Sequence, residues 1–236
     1  MNIAIILAGG VGSRVGSDTP KQFIEVLGKP ILAYTIEKFQ YHEEIDFIEV
    51  VCVKSHVEYL EKMVADYGLS KVKWIVEGGA TFQDSVIKGI DNLARVCGEN
   101  DLVSIHFGAS PFVSCEIISD SIKVCMKKGN AISTTPFYLL SGVRTDEEKS
   151  LEYLDREKIA CMSSPHTFRY GFVRKLYDEG RDVGILDEID PHTTSLMYAL
   201  GYPIYFSKGS QANVKITTVE DLELFEGYVL VRRNKY

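Results

Sequence analysis

Ile3-Ala4-Ile5-Ile6-Leu7-Ala8-Gly9-Gly10-Val11-Gly12-Ser13-Arg14-Val15-Gly16-Ser17-Asp18-Thr19-Pro20-Lys21-Gln22-Phe23 is an apolar, strand-like run that empties into a loop with four glycines, one arginine and one lysine. Glycine lets a backbone take positive φ and approach a ligand closely, so successive N–H groups can converge on phosphate oxygens. Arg14 and Lys21 supply the cations that a polyphosphate requires. The loop is therefore expected to hold a nucleoside triphosphate. It is not a Walker A loop, because Lys21 follows Pro20 rather than a glycine, and it lacks the third glycine of a dinucleotide fingerprint.

Working outward, apolar β-branched runs alternate with helical periodicity. Strands are expected at 2–8, 46–54, 72–76, 101–106, 130–135 and 203–206, and helices at 30–42, 55–68, 83–96, 114–128, 168–180 and 191–200. This alternation predicts an α/β fold, a three-layer Rossmann-like domain around a mostly parallel sheet. Ligands of such sheets sit beyond the carboxyl ends of the strands, where the opening loop lies. Residues 1–236 read as one domain. Residues 136–167 break the alternation, with Thr145-Asp146-Glu147-Glu148-Lys149-Ser150 as a hairpin tip. Such a β-arm is either a homodimerisation element, since isolated two-stranded ribbons are marginal in water, or an ordinary surface excursion.

The 236 residues are 45% hydrophobic and 25% charged, the balance of a soluble globular chain with a sizeable core. A net charge of -7 argues against a nucleic-acid partner. The five cysteines are scattered and show no C-x-x-C spacing, which suits reduced thiols in the cytoplasm. No apolar run is long enough to span a membrane, and the chain enters its first strand without a leader-like segment.

The combination L-A-G-G-x-G-x-R and P-K-Q-F resembles the nucleotidyltransferases that join a nucleoside monophosphate to a sugar or polyol phosphate. More narrowly, it is similar to the cytidylyltransferases acting on methylerythritol phosphate and ribitol phosphate. Glu77-Gly78-Gly79, Gln83-Asp84-Ser85-Val86 and Gly89-Ile90 resemble that family's second nucleotide segment. The run Gly209–Leu222 resembles its G-x-x-x-N-x-K-x-T-x-x-E-D-L element, so the likeness covers the whole chain. It implies CMP transfer from CTP to a polyol phosphate, with pyrophosphate leaving. It implies Arg14, Lys21 and Lys215 as catalytic cations, and Ala8, Gly9, Gly10, Gly12, Ser13, Gly79 and Ser85 as nucleotide contacts. Arg156 and Asn213 are implied on the acceptor side, with Mg²⁺ as cofactor and a homodimer formed through the arm. Ser85 alternatively bonds its own helix start, and Arg156 alternatively pairs with Asp155 or Glu152.

Several positions depart from the pattern. His106-Phe107-Gly108-Ala109-Ser110-Pro111 puts Phe107 where the family's metal-binding aspartate is expected and Ser110 where an arginine is expected. Ala80 and Phe82 replace an acidic residue and another arginine, Leu139 and Leu140 replace a D-T pair, and Pro191 and His192 replace a T-D pair. Phenylalanine cannot ligate a hard cation, so the metal site is left unassigned, with Asp187, Glu188 and Asp190 as candidate oxygen donors. Two readings stay open: an active transferase with a rebuilt acceptor and metal half, for which another nucleotide or a sugar phosphate is the alternative substrate, or a silent nucleotide-binding protein. His106 reads as a hydrogen-bonded core residue, and His166 and His192 as solvated or structural.

Overall fold

Apolar β-branched runs bounded by helix caps generate the scaffold. The computed structural model describes residues 1–10 and 19–233. Its main sheet contains β1 (Asn2–Ala8), β4 (Phe47–Cys52), β5 (Val72–Glu77), β6 (Leu102–Phe107), β7 (Asn130–Pro136), β10 (Ala160–Arg169) and β11 (Phe206–Lys208), in the order β11-β7-β10-β6-β1-β4-β5. β1 is parallel to both β4 and β6, β4 to β5, and β7 to β11. β10 alone runs antiparallel, against β6 on one side and β7 on the other.

Strand alternation sends successive side chains to opposite faces. Along β1, Ala4, Ile6 and Ala8 join a core with α1 (Ile31–Gln40), α2 (Val57–Asp66) and α4 (Cys115–Lys128), while Ile3, Ile5 and Leu7 pack with α3 (Phe82–Asn92), α5 (Tyr170–Asp182) and α6 (Thr193–Ala199). The expected three layers are thus present. A smaller apolar cluster seats α7 (Val219–Arg233) on the short ribbon of β2 (Glu25–Val26) and β3 (Lys29–Pro30). Among the described residues, no helix is long and apolar enough to cross a membrane.

Helix ends follow local chemistry. Thr81 and Asp84 form a reciprocal capping box on α3, Ser114 accepts from Ile117 N–H at the start of α4, and Gly129 closes α4 at φ 93°. Most expected elements fall within two residues of the observed ones. The strand expected at 203–206 lies instead at Phe206–Lys208. The helix expected to begin at 168 begins at Tyr170, because Phe168 and Arg169 end β10.

β10 itself was not foreseen as a strand. Its Ser163-Ser164-Pro165 segment reads as loop chemistry, yet neighbours on both sides supply its partners. Thr167 shares hydrogen bonds with Ser104 at 2.9 Å and Ser121 at 2.6 Å, so a buried hydroxyl chain replaces apolar contact there. Consequently residues 160–167, assigned from sequence to the arm, lie in the main sheet. The protruding ribbon is the pair β8 (Gly142–Arg144) and β9 (Ser150–Tyr153), with Asp146 accepting from the N–H groups of Glu148 and Lys149 at its tip.

One core residue breaks the apolar pattern. Glu49 in β4 is fully buried, and one carboxyl oxygen accepts from Asn92 Nδ2 at 2.7 Å while the other has no partner among the described residues. Gly89 makes the room, since a Cβ there would stand 2.9 Å from that second oxygen. Burial pushes the Glu49 carboxyl from 4.5 up to about 8. Between those values the folded chain holds a proton that the unfolded chain releases, so stability falls as pH rises through this window. Urea denaturation is expected to show Glu49→Gln gaining on the parent chain between about pH 5 and pH 8.5. A pH-independent difference between the two would refute the buried neutral carboxyl.

Candidate active site

At the carboxyl end of the sheet, each strand pins the loop that follows its neighbour. Val53 N–H donates to Ala8 O, Gly78 N–H to Cys52 O at 2.8 Å, and Gly108 N–H to Leu7 O at 2.8 Å. These ties bring the turns after β1, β4, β5 and β6 around one cleft of about 390 Å³.

On the first wall, Gly9 and Gly10 leave β1. Arg14, Gly12 and Ser13 lie outside the described residues. The chain returns at Pro20, which leads into a tight turn over Lys21–Phe23. Gln22, which the sequence reading left without a role, is 3% exposed and donates both amide protons, to Ala8 O at 2.7 Å and Gly10 O at 2.9 Å. Phe23 holds the turn in place by stacking on His56 with centroids 4.6 Å apart. Lys21 is thereby left on the cleft lining, together with Gly9 and Gly10; Ala8 lies just behind, buried.

The second wall is the turn into α3. Ser85 Oγ donates to Thr81 O at 3.0 Å and accepts from Gly79 N–H at 3.1 Å, so its hydroxyl does serve the local backbone while the residue lines the cleft. The glycines here are required by contact. A Cβ on Gly79 would lie 2.0 Å from Asp84 Cβ, and one on Gly9 would lie 3.0 Å from Ser85 Oγ. The two glycine-bearing segments therefore close-pack across the cleft floor.

Lys215 enters from the segment before α7. Ile216 N–H donates to Ala109 O at 2.8 Å, fixing that segment beside β6, and Asp221 accepts from Thr217 and Thr218 N–H to start the helix. The Lys215 ammonium sits 4.4 Å from the Phe107 ring centroid and 6.0 Å from that of Phe82. Cation–π attraction of this sort is worth about 0.5–2 kcal/mol, depending on solvent exposure. The described lining thus carries two ammonium groups, Lys21 and Lys215, and no carboxylate.

Other expected residues fall elsewhere. Asn213 is buried, with Nδ2 donating to Ser164 O at 2.7 Å, so it braces β10 and is not part of the cleft lining. Arg156 sits on the arm and donates to Tyr138 O; of its proposed ion-pair partners, Asp155 pairs with Lys158. No cluster of three metal-ligating side chains occurs among the described residues. Asp187 and Glu188 are exposed and off the cleft lining, and Asp190 is engaged by His192 at 2.5 Å. The described donor set therefore does not fit a protein-held Mg²⁺, which demands oxygen ligands.

His106 behaves as expected of a core histidine. It is fully buried, burial lowers its pKa to about 4, and Nε2–H donates to Ser110 O at 2.9 Å. His166 is buried as well, and burial lowers its pKa to about 3. His192 differs: its pairing with Asp190 and its contacts with Phe82 and Phe107 went unread in the sequence. The signal was present, because Asp190 and His192 flank Pro191 just ahead of a helix start.

The profile of a family described as IspD, 2-C-methyl-D-erythritol 4-phosphate cytidylyltransferase, matches residues 2–231. The ribitol-5-phosphate cytidylyltransferase of Lacticaseibacillus paracasei is 37% identical over 231 residues, 97% of this chain and 98% of the relative. The 2-C-methyl-D-erythritol 4-phosphate cytidylyltransferase of Clostridium acetobutylicum is 37% identical over 235 residues, covering 99% of both. Among solved structures, the Francisella tularensis 2-C-methyl-D-erythritol 4-phosphate cytidylyltransferase superposes with a TM-score of 0.78 at 24% identity, over 96% of this chain and 99% of that one. That structural likeness establishes the fold.

Replacing Gly79 by alanine drives a methyl group into the Asp84 backbone, whose carbonyl carbon would be 2.8 Å away. Gly79→Ala is expected to weaken CTP binding at least about tenfold, measured by titration calorimetry, while thermal unfolding stays within a few degrees of the parent. Unchanged affinity would remove this turn from the nucleotide seat.

Proposed function

Because the chain belongs to the 2-C-methyl-D-erythritol 4-phosphate cytidylyltransferase family, we propose that it is a cytidylyltransferase moving CMP from CTP to a small polyol phosphate. The acceptor is ribitol 5-phosphate or 2-C-methyl-D-erythritol 4-phosphate, the two substrates named in its relatives. The observation that carries this reading is the cleft where Lys21 and Lys215 face two close-packed glycine turns, with no carboxylate in the described lining. Such a cleft suits an anionic triphosphate meeting an anionic acceptor.

In this reading, an acceptor phosphate oxygen attacks the α-phosphorus of CTP in line, and the bond to the pyrophosphate oxygen breaks. No general base is required, because the nucleophile is already ionised. The chain's task is to align two anions and to neutralise the charge that accumulates. Lys21 and Lys215 serve the α-, β- and γ-phosphate oxygens, with Arg14 assigned as a third cation. Gly9, Gly10, Gly12 and Ser13 offer backbone donors to the phosphates, and Gly79 and Ser85 hold the nucleoside. Asn213 and Arg156 are assigned to the acceptor side, the first by bracing β10 and the second from the arm. Mg²⁺ is supplied as the counter-ion of the triphosphate.

The arm supports a homodimer in the same reading. Leu139 and Leu140 just before β8, and Leu151 and Tyr153 on β9, are each at least 69% exposed, and the two-stranded ribbon has no third strand to cover it. We also assign the chain to the cytoplasm, on its five free thiols.

Two measurements check these assignments. In a pyrophosphate-release assay with CTP, Mg²⁺ and either acceptor, Lys21→Ala is expected to lower kcat about 10²–10³-fold. Unaltered turnover in that variant, or no release by the parent with either acceptor, would refute the transferase mechanism. Light scattering is expected to give a dimer for the parent and a monomer for a Leu140→Asp, Leu151→Asp double variant. A monomeric parent would assign the ribbon no role in assembly.

A further inference from the structure

Three rings from three separate elements meet on one flank of the cleft. Phe82 opens α3, Phe107 ends β6, and His192 immediately precedes α6. The Phe82 and His192 rings stack at 5.0 Å with planes 29° apart, while Phe107 lies 5.8 Å from Phe82 and stands nearly perpendicular to His192 at 6.0 Å. Both phenylalanines line the cleft, and His192 packs against them at its edge, beyond the lining itself. The wall therefore begins at the Lys215 ammonium, over Phe107, and ends at an imidazole.

That imidazole is oriented. His192 Nδ1 lies 2.5 Å from Asp190 Oδ1, and the same oxygen accepts from the His192 N–H at 3.2 Å and from Ser195 Oγ at 3.3 Å. Nδ1 donates to the Asp190 carboxyl, and this hydrogen bond holds that carboxyl below its usual range. Nε2 is left without a partner among the described residues, on a side chain 38% exposed. A ring placed only for packing would not need its second nitrogen directed by a carboxylate.

The chemistry of the wall selects a class of ligand. Aromatic faces accept C–H groups and give no hydrogen bonds to phosphate, whereas the two ends of the wall offer a cation and a hydrogen-bonding nitrogen. A polyol phosphate has that distribution: an anion at one end, a carbon chain whose C–H edge packs on rings, and a hydroxyl at the other end. Resting on the transferase reading above, we propose that Phe82, Phe107 and His192 form the acceptor's specificity wall. The carbon chain lies along the two phenylalanines, and His192 Nε2 accepts a hydrogen bond from a hydroxyl remote from the acceptor's phosphate. A four- or five-carbon chain covers more of the two ring faces than a three-carbon chain does.

The test compares ribitol 5-phosphate with glycerol 3-phosphate as acceptors, at saturating CTP. The parent enzyme is expected to favour ribitol 5-phosphate at least about tenfold in kcat/KM. His192→Phe keeps the ring stack and deletes the nitrogen. Its KM for ribitol 5-phosphate is expected to rise about five- to tenfold, the worth of one such hydrogen bond. Its KM for CTP and for glycerol 3-phosphate should stay within about twofold of the parent. Asp190→Asn, which keeps an acceptor oxygen for the His192 N–H and Ser195, is expected to shift the preference in the same direction by about threefold or more. Turnover with the preference intact in both variants, or KM raised equally for both acceptors, overturns the specificity wall alone. No turnover by the parent with these two acceptors overturns the wall, and none with 2-C-methyl-D-erythritol 4-phosphate either overturns the transferase reading as well.

Discussion

The two protons of one buried amide set the entrance to the cleft. Gln22 gives them to Ala8 O and Gly10 O, so the end of β1 and the start of the loop are tied to the residue that follows Lys21. With those carbonyls engaged, the backbone between them is held as a fixed turn and the lysine is carried to the cleft lining. A buried amide satisfied in this way is costly to misplace, because an unpaired donor at that depth loses about 1–3 kcal/mol. The neighbouring strand ends obey the same logic, each N–H beyond one strand finding the last carbonyls of the next.

An acidic chain that binds an anion must concentrate its few cations. Overall charge is -7, yet the described cleft lining carries Lys21 and Lys215 with no opposing carboxylate. Phe107 and Phe82 turn their rings to the Lys215 ammonium, 4.4 Å and 6.0 Å from their centroids. A carboxylate in that place would offset the ammonium's charge, whereas a ring orients it and leaves its field directed at the ligand.

Much of this was legible in the residues because local rules and tertiary demands agreed. The alternating β-branched runs marked β1, β4, β5 and β6, helical periodicity over 83–96 marked α3 though not the Thr81–Asp84 box that starts it, and Gly9, Gly78 and Gly79 marked turns where a side chain would crowd its neighbours. β10 was not legible, because Ser163, Ser164 and Thr167 are polar and become core only through partners on β6, β7 and α4. α7 escaped because its apolar residues are spread around the helix rather than gathered on one stripe. Gln22 gave no periodic signal, and the stacking of His192 on Phe82 joins residues more than a hundred positions apart. Asn213 showed how a motif position can be structural, since its amide braces β10 from within.

The mounting of the arm has a mechanical side. Its two ends continue into β7 and β10, which are laddered to each other from Pro136–Ala160 inward. Gln211 adds a third fastening by donating to Pro136 O at 3.0 Å, and Asn213 ties the same segment to Ser164. The root of the arm is thus fastened at the β7–β10 ladder, with residues 137–141 and 154–159 leading from there to the β8–β9 ribbon. A torque applied at its exposed tip is resisted by the β7–β10 ladder and by the stretch that leads directly to Lys215. A load on the arm would therefore enter the sheet at the β7–β10 ladder, beside the stretch that leads to Lys215.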